Sequence, residues 1–391
     1  MPIVRFRLET TGLQRERWDM LTELILTHCM GWFIVVWVFF FGACLGSFLN
    51  VVAYRIPNGM TILGTSRCPW CLVPIESRFN LPIMGWLMLR GRCAACRLPI
   101  AIRYMLVEIV AGLILVWLFA FELVANGENL PRERDYRIQV LFRQLASGNL
   151  KEVLDCEWAL VRIFALHCLV AYTLLTAALM RLDRLKIPFL WGTIHLLVPF
   201  VCIAIWPEDF GFAWADFQVA LRSGQWFERF DFQFVGLCVG AFLGYQTQRL
   251  FNDRDAGLLF ALAMIGICCG LAATISIGVM FLIVLGLTRL KGPSSFLFQN
   301  PLFLLLATFL LQIALWNFLN DLSWWPNNSA NSLVLIAYLM PGTLAVAWAT
   351  STRPTESRQK PVDVESQVAA ADVDDAAASE STGESNESGT Q

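Results

Sequence analysis

Residues 31–53 read GWFIVVWVFFFGACLGSFLNVVA, an apolar run without a single charged side chain. A helix needs about 20 apolar residues to cross a hydrocarbon core of roughly 30 Å. Similar runs recur along the 391-residue chain, which is 57% hydrophobic and 15% charged, whereas soluble domains carry about 25% charged residues. Because segments in lipid must satisfy their own backbone polar groups, helices are expected. The sequence therefore predicts an all-α, polytopic membrane helix bundle.

The apolar runs predict eight or nine spans. They lie near residues 31–53, 105–124, 159–180, 188–206, 232–248, 257–272, 273–290, 299–319 and 332–350. The stretch 257–290 is one continuous run of about 34 residues, which is too long for one span. It is just long enough for two helices joined by a tight turn. The predicted count is therefore eight or nine spans.

The basic residues predict the orientation of the loops. The loop 54–104 carries seven arginines and one glutamate, so the positive-inside rule assigns it to the cytoplasm. Alternation then puts the short basic loops near 181–186, 249–254 and 289–291 on the same side. The acidic-leaning loop 207–230 falls outside. The four arginines within residues 1–30 oppose this orientation, but the three agreeing loops outweigh them.

Composition divides the chain into five parts. These are a polar N-terminal segment (1–30), the first two spans with their cytoplasmic loop (31–124), an external polar loop (125–158), a membrane helix bundle (159–350) and an acidic tail (351–391). The tail is rich in Ser, Ala and acidic residues, a composition that is typical of disorder.

Four of the twelve cysteines form two CxxC motifs within the cytoplasmic loop. They are Cys68-Pro-Trp-Cys71 and Cys93-Ala-Ala-Cys96, about 21 residues apart, whereas the other eight lie in or beside apolar spans. This spacing predicts a tetrahedral zinc site. Two disulfides are the alternative, but cytoplasmic thiols stay reduced. Because four protein ligands leave no open position, the zinc is expected to be structural and to fold a small loop domain.

The segments around these cysteines carry further motifs. Residues 42–57 read GACLGSFLNVVAYRIP; Asn80-Leu-Pro82 and GWLMLRG (85–91) separate the two CxxC motifs, and Arg103-Tyr104 and Glu108 follow them. In order and spacing, residues of about 42–115 resemble the N-terminal domain of the prepilin peptidase (type IV leader peptidase) family. Met105 departs from the proline that is usual in that family.

The resemblance implies a membrane aspartyl protease of the cytoplasmic (inner) membrane. Such enzymes cut a short basic leader from pilin-like precursor proteins, and many then N-methylate the new terminus with S-adenosylmethionine. The chemistry needs two carboxylates facing one water, one acting as base and the other kept protonated. The implied partners are pilin-like precursors and the lipid bilayer. No pattern of basic and aromatic residues predicts nucleic-acid binding.

Asp183 and Asp255 are the candidate catalytic pair. Asp183 lies in ALMRLDRLKIP (178–188), where the family has its first aspartate; if Pro188 anchors the alignment, Arg181 occupies the usual aspartate position. Asp255 lies in NDRDAG (252–257), where the family has Gly-x-Gly-Asp and a lysine two residues later. The alternative is that both are solvated loop charges, with Asp183 paired to Arg184 or Lys186 and Asp255 to Arg254.

Few other ionisable residues lie within the apolar runs. Glu108 and Arg162 do, and a structural or site-supporting role is expected for Glu108 because buried ionisable groups in membranes usually pair. His28, His167 and His195 lack partners at ligand spacing in the sequence, so packing is expected for all three.

Two other functions compete with the protease. The first is a catalytically inactive prepilin-peptidase-like scaffold that binds pilin helices without cutting them. The second is a transporter, although no internal repeat or pair of broken helices is apparent beyond residues 257–290.

Overall fold

The computed structural model describes residues 3–125, 129–130, 158–206, 233–250, 256–290, 300–322 and 325, with side chains from residue 29 onwards. The described residues are helical apart from short turns and two isolated β-bridges. The external loops 125–158 and 207–230 fall almost entirely outside these ranges, as do the span near 332–350 and the acidic tail.

The helices follow the apolar runs closely. They are α1 (Ile3–Arg55), α2 (Met84–Met88), α3 (Arg103–Leu118) with a π-helical end (Phe119–Val124), α4 (Trp158–Leu182), α5 (Phe189–Ile205), α6 (Gln233–Leu250), α7 (Gly257–Leu290) and α8 (Pro301–Asn320). The α1 helix continues back through the polar N-terminal segment.

Five of the described helices are long and apolar enough to cross a membrane. They comprise Cys29–Arg55, Arg103–Val124, Trp158–Leu182, Pro301–Leu319 and the run Gly257–Leu285, which is counted here as one helix although it is interrupted at Gly270. Phe189–Ile205 is a shorter apolar helix. The chain is therefore a multi-pass membrane protein, and its described residues are mainly helical. The expected count of eight or nine spans is not confirmed by these ranges.

The long run 257–290 changes direction at Gly270. Its backbone angles there are φ 81° and ψ −179°, a region that is essentially restricted to glycine. Gly236, near the start of α6, faces Gly266 and Gly270, while Gly278 faces Leu243 further along α6. A straight helix would carry Gly278 about 12 Å past Gly270, away from Leu243. The predicted division into two helices is thus observed, with the turn at Gly270.

Small residues bring two helix pairs into close contact. Gly236, Gly240 and Gly244 recur every fourth residue on α6, and a Cβ at Gly240 would lie 2.1 Å from the Leu262 carbonyl oxygen on α7. Gly42 and Gly46 of α1 face α3 in the same way. Lipid provides no hydrophobic driving force between helices, so their association depends on close packing. Small residues at this spacing let the two backbones approach closely.

Several helix ends that border the basic loops meet at one end of the bundle. Arg103 at the start of α3 contacts Asp183 after α4; Gly257 at the start of α7 lies against Ile187; and Asn300 before α8 donates a hydrogen bond of 3.0 Å to the Ala178 carbonyl. This agrees with the expectation that the cysteine loop and the loop near residues 181–186 share one side of the membrane.

Candidate functional site

The four loop cysteines converge on one point. Their sulfur atoms all lie within 4.8 Å of one another, with 3.8 Å between Cys68 and Cys96 and 4.0 Å between Cys71 and Cys93. A zinc ion at about 2.3 Å from four tetrahedral sulfurs would space them about 3.8 Å apart, whereas a disulfide needs about 2.0 Å. The thiols are free, and the cluster fits a metal ion rather than two disulfides.

The two CxxC hairpins have the same backbone design. The Cys68 amide donates to the Val73 carbonyl at 3.1 Å, and the Cys93 amide donates to the Leu98 carbonyl at 2.9 Å. β-Bridges pair Arg67 with Pro74 and Arg92 with Pro99. This equivalence follows from the sequence, because R-C-x-x-C-x-[V/L]-P-I occurs at 67–75 and again at 92–100. Each hairpin therefore presents two sulfurs to the shared centre.

Backbone amides prepare one of these thiols for metal binding. The N–H groups of Cys96 and Ala95 lower the pKa of the Cys93 thiol to about 6. The thiolate is the form that binds a metal. At Cys93 the local fold thus favours the ionised state that zinc would require, whereas burial and the neighbouring sulfurs raise the pKa of the Cys96 thiol to about 11.

Hydrogen bonds attach the cysteine loop to the helices. The Glu108 carboxylate accepts a hydrogen bond of 2.6 Å from the Ile83 amide. Ile83 has a φ of 63°. The Trp86 indole donates to the Ile100 carbonyl at 3.1 Å, and the Arg55 guanidinium donates to the carbonyls of residues 61, 62 and 65. Glu108 therefore has the supporting role that its position in the sequence suggested.

Asp183 directly follows the last residue of α4, Leu182, and forms an ion pair with Arg103. Its side chain is 21% exposed and that of Arg103 is 35% exposed. The partner is thus an arginine 80 residues away rather than the neighbouring Arg184 or Lys186. Arg103 stands seven residues after Cys96, so the end of the cysteine loop reaches the first candidate aspartate.

Asp255 lies outside the described residues, so its distance to Asp183 is not observed. Its neighbourhood is partly visible, since a Cβ at Gly257 would lie 2.5 Å from the Ile187 side chain. A small cavity adjoins this contact and is lined by residues that include Thr173, Ile187, Trp191, His195 and Met264. The segments that follow the two aspartates are therefore in contact.

Sequence reasoning missed a buried polar cluster in the other half of the bundle. His167, which was expected only to pack, contacts the Glu122 carboxylate with its Nδ1 at 2.9 Å and the Cys269 sulfur with its Nε2 at 3.6 Å. Glu122 carried a signal of its own, as an acid within an apolar run. His167 and Cys269 had none, because their partners are distant in sequence.

Known proteins match the N-terminal part of the chain. Residues 40–121 match the model of the bacterial peptidase A24 N-terminal domain. A prepilin leader peptidase/N-methyltransferase from Myxococcus xanthus is 42% identical over 95 residues, covering 24% of this chain and 28% of that protein. Namesakes from Aeromonas hydrophila and Neisseria gonorrhoeae are 36% and 34% identical, covering 24% and 22% of this chain and 41% and 40% of their own lengths.

The matched part spans less than half the length of each of these relatives. No solved structure matches the chain. The family match includes all four loop cysteines, Arg103 and Glu108, and it ends before Asp183. In this N-terminal part, with its paired CxxC hairpins, the chain is similar to the bacterial A24 peptidases and to prepilin leader peptidases.

Proposed function

We propose that the chain is a prepilin leader peptidase that cuts the basic leader from type IV pilin-like precursors at the cytoplasmic face of the inner membrane. Asp183 and Asp255 would form its aspartyl pair. The names of the relatives support this activity. The apolar helices also support it, because they would allow contact with a membrane-embedded precursor.

The contact between Arg103 and Asp183 carries the proposal. It joins the end of the cysteine loop, within the family domain, to the acidic residue that stands where the resemblance expects the first aspartate. The Arg103 guanidinium, which is always charged, places a fixed positive charge beside this carboxylate. Asp183 would thus be the base of the pair, taking a proton from the attacking water.

The position of the second aspartate is supported by the length of the chain between known contacts. Gly257 lies against Ile187, and Asp255 is only two residues before Gly257. Two residues extend at most about 7 Å. This short tether favours a location for Asp255 near the loop that carries Asp183, where a protonated Asp255 would donate a hydrogen bond to the scissile carbonyl.

Zinc would act at a distance from this chemistry. Cys68, Cys71, Cys93 and Cys96 would hold it, and its charge would stabilise their thiolates. With four protein ligands it would offer no position for substrate. The role of the four residues is to hold the loop in the shape that presents Arg103 to Asp183.

Two observations favour a second function, that of an inactive scaffold that binds pilin helices. The same ion pair engages the carboxylate that would have to act as base, and Asn252, Arg254 and Gly257 replace residues of the family's second motif. A chain with these features would keep the zinc-binding domain and the bundle while leaving precursors uncut.

N-methylation of the new terminus is also proposed, on the names of the relatives alone. S-adenosylmethionine carries cationic sulfonium and amino groups, which carboxylates in a binding site would complement. The cavity beside Ile187 and Trp191 is lined by no carboxylate, so this described site does not fit the cofactor.

The test is co-expression with a pilin-like precursor from the same genome, with leader removal followed by mass spectrometry of the precursor. Asp183→Asn and Asp255→Asn should each abolish cleavage. Asp321→Asn is the matched control, since Asp321 is an exposed aspartate at the other end of α8. It should cleave as the wild type does.

The outcomes separate the two functions. Cleavage that persists in either aspartate variant would show that the pair is misassigned. Absence of cleavage by the wild type, together with co-purification of the uncut precursor, would replace the protease with the scaffold.

A further inference from the structure

Glu122, His167 and Cys269 form a connected polar cluster within the membrane bundle. They come from three helices, namely the π-helical end of α3, the middle of α4 and the residue of α7 just before the turn at Gly270. A hydrogen bond of 2.9 Å joins the Glu122 carboxylate and the His167 imidazole, and one of 3.6 Å joins this imidazole and the Cys269 thiol. The cluster is a chain of three groups rather than a pair.

The cluster is remote from Asp183, the candidate aspartate that the structure describes. His167 lies 15 residues before the end of α4 at Leu182, which is about 22 Å along the helix axis. Cys269 lies beside Gly270, which packs near the opposite end of α6 from the basic loops. A separate role is required for these residues, because neither the zinc site nor the aspartyl pair uses them.

Burial makes the arrangement costly. Glu122 is 0% exposed and His167 is 2% exposed, and the Phe309 ring packs edge-on against the imidazole at 6.0 Å. Ionisable groups within a membrane bundle are rare and mark function by default, and π-helical turns are frequent at functional sites. Cys269 alone is partly exposed, so the thiol is the member that a reactant can reach.

The order of the groups is that of an activated nucleophile. In the tautomer whose Nδ1–H donates to Glu122, the lone pair of Nε2 is directed at the Cys269 sulfur. Nucleophile, base and orienting group are recognised by this succession of contacts and not by sequence position. A pair that served only to join α3 to α4 would need no third group.

The surroundings select the class of reactant. Cys269 packs against Ala272, Ala273 and Trp316 as well as against the main apolar core. These walls favour a hydrocarbon chain over a charged or peptide reactant. A thioester carbonyl on such a chain is an electrophile that a thiolate attacks without an oxidant or a reductant.

We propose that Glu122, His167 and Cys269 form an activated-thiol site at which Cys269 takes a long acyl chain from a thioester donor. The Cys269 sulfur attacks the carbonyl carbon and forms the new C–S bond. The C–S bond of the donor breaks, and His167 passes the thiol proton to the departing sulfur. The product is an S-acylated cysteine, anchored among the helices, and a free donor thiol.

The experiment uses the purified full-length protein and an alkyne-tagged palmitoyl coenzyme A, with the tagged residue located by mass spectrometry. Label that hydroxylamine removes is expected on Cys269 and is expected to vanish in Cys269→Ala. His167→Gln should slow labelling by about 10²-fold or more, the usual contribution of a positioned base. Cys268→Ala is the matched control, since Cys268 is the adjacent, fully buried thiol, and it should label normally.

A second measurement keeps the proposal testable when a variant misfolds. In the wild type, Cys269 should react with N-ethylmaleimide faster than Cys238, although Cys238 is exposed and Cys269 only partly so. Slower alkylation of Cys269 than of Cys238 would overturn the proposal. So would acyl label spread evenly over the exposed cysteines, or a folded His167→Gln protein that labels at the wild-type rate.

Discussion

At the scale of single residues, the cysteine loop is stabilised differently from the helix bundle. The cysteine loop has little apolar core, and its exposed side chains include Trp70, Leu72 and Leu81. Its shape depends on the four sulfurs and on a few backbone hydrogen bonds. In a domain of this kind the free energy of metal binding is also the free energy of folding.

Replacing one of the four loop cysteines should therefore prevent zinc binding and unfold the cysteine loop. We expect Cys68→Ser and Cys93→Ser to lower the zinc content from one ion per chain towards zero, and to lower the abundance of the protein in membranes. Elemental analysis of the purified protein measures the first effect and immunoblotting the second. Cys238→Ser, at an exposed cysteine of α6, should change neither. Full zinc in Cys68→Ser would rule out the four-sulfur site.

The ion pair of Arg103 and Asp183 should be measurable as a coupling. Because both side chains are partly exposed, the interaction is worth about 0.5–1 kcal/mol. Arg103→Ala and Asp183→Ala should each lower the melting temperature slightly, and the double variant should lose less than the two losses added together. A thermal double-mutant cycle in detergent provides this comparison. Strict additivity would show that the pair does not form in solution.

At the scale of elements, the packing of α6 on α7 depends on the absence of side chains. A Cβ at Gly240 would lie 2.1 Å from a carbonyl oxygen and one at Gly266 would lie 2.0 Å from another. Both contacts are with backbone, so no rotamer change can relieve them. The helices would have to separate.

Gly240→Ala should therefore destabilise the bundle by about 1–3 kcal/mol, the usual cost of overpacking. Gly278→Ala is a matched control in the same helix pair, since its Cβ would meet only the flexible Leu243 side chain at 3.4 Å. The melting temperatures of the two variants should differ by several degrees. Equal melting temperatures would contradict the close contact of α6 with α7.

The turn at Gly270 makes a separate demand on the backbone. Its φ of 81° with ψ of −179° is a conformation that side chains forbid, at a cost of about 1–3 kcal/mol. Gly270→Ala should lower the melting temperature and should also disturb the neighbouring thiol at Cys269. The rate of Cys269 alkylation by N-ethylmaleimide reports the second effect. An unchanged rate and melting temperature would mean that α7 does not reverse there.

At the scale of the whole molecule, the contacts at one end of the bundle fix which loops share a side. Arg103, Asp183, Gly257 and Asn300 all lie at that end. The positive-inside rule assigns it to the cytoplasm. Green fluorescent protein fused after Lys186 should therefore fluoresce, whereas alkaline phosphatase fused there should be inactive. Fusions after Trp206 should behave in the opposite way. The reverse pattern at both sites would invert the orientation.

The sequence alone determined what depends on local spacing. Apolar runs of membrane length predicted helices because backbone groups in lipid must be satisfied within a segment, and the paired CxxC motifs predicted a metal site because two short hairpins can supply four sulfurs. The family resemblance of residues 42–115 likewise rests on consecutive motifs, and the family match at residues 40–121 confirms it.

Only the tertiary structure decided which distant side chains meet. Arg103 and Asp183 are 80 residues apart, Glu122 and His167 are 45 apart, and His167 and Cys269 are 102 apart. No pattern of spacing encodes such pairs, because they follow from how the helices pack. That packing depends on glycine contacts and on a turn at Gly270, whose effects are expressed only when the whole bundle is assembled.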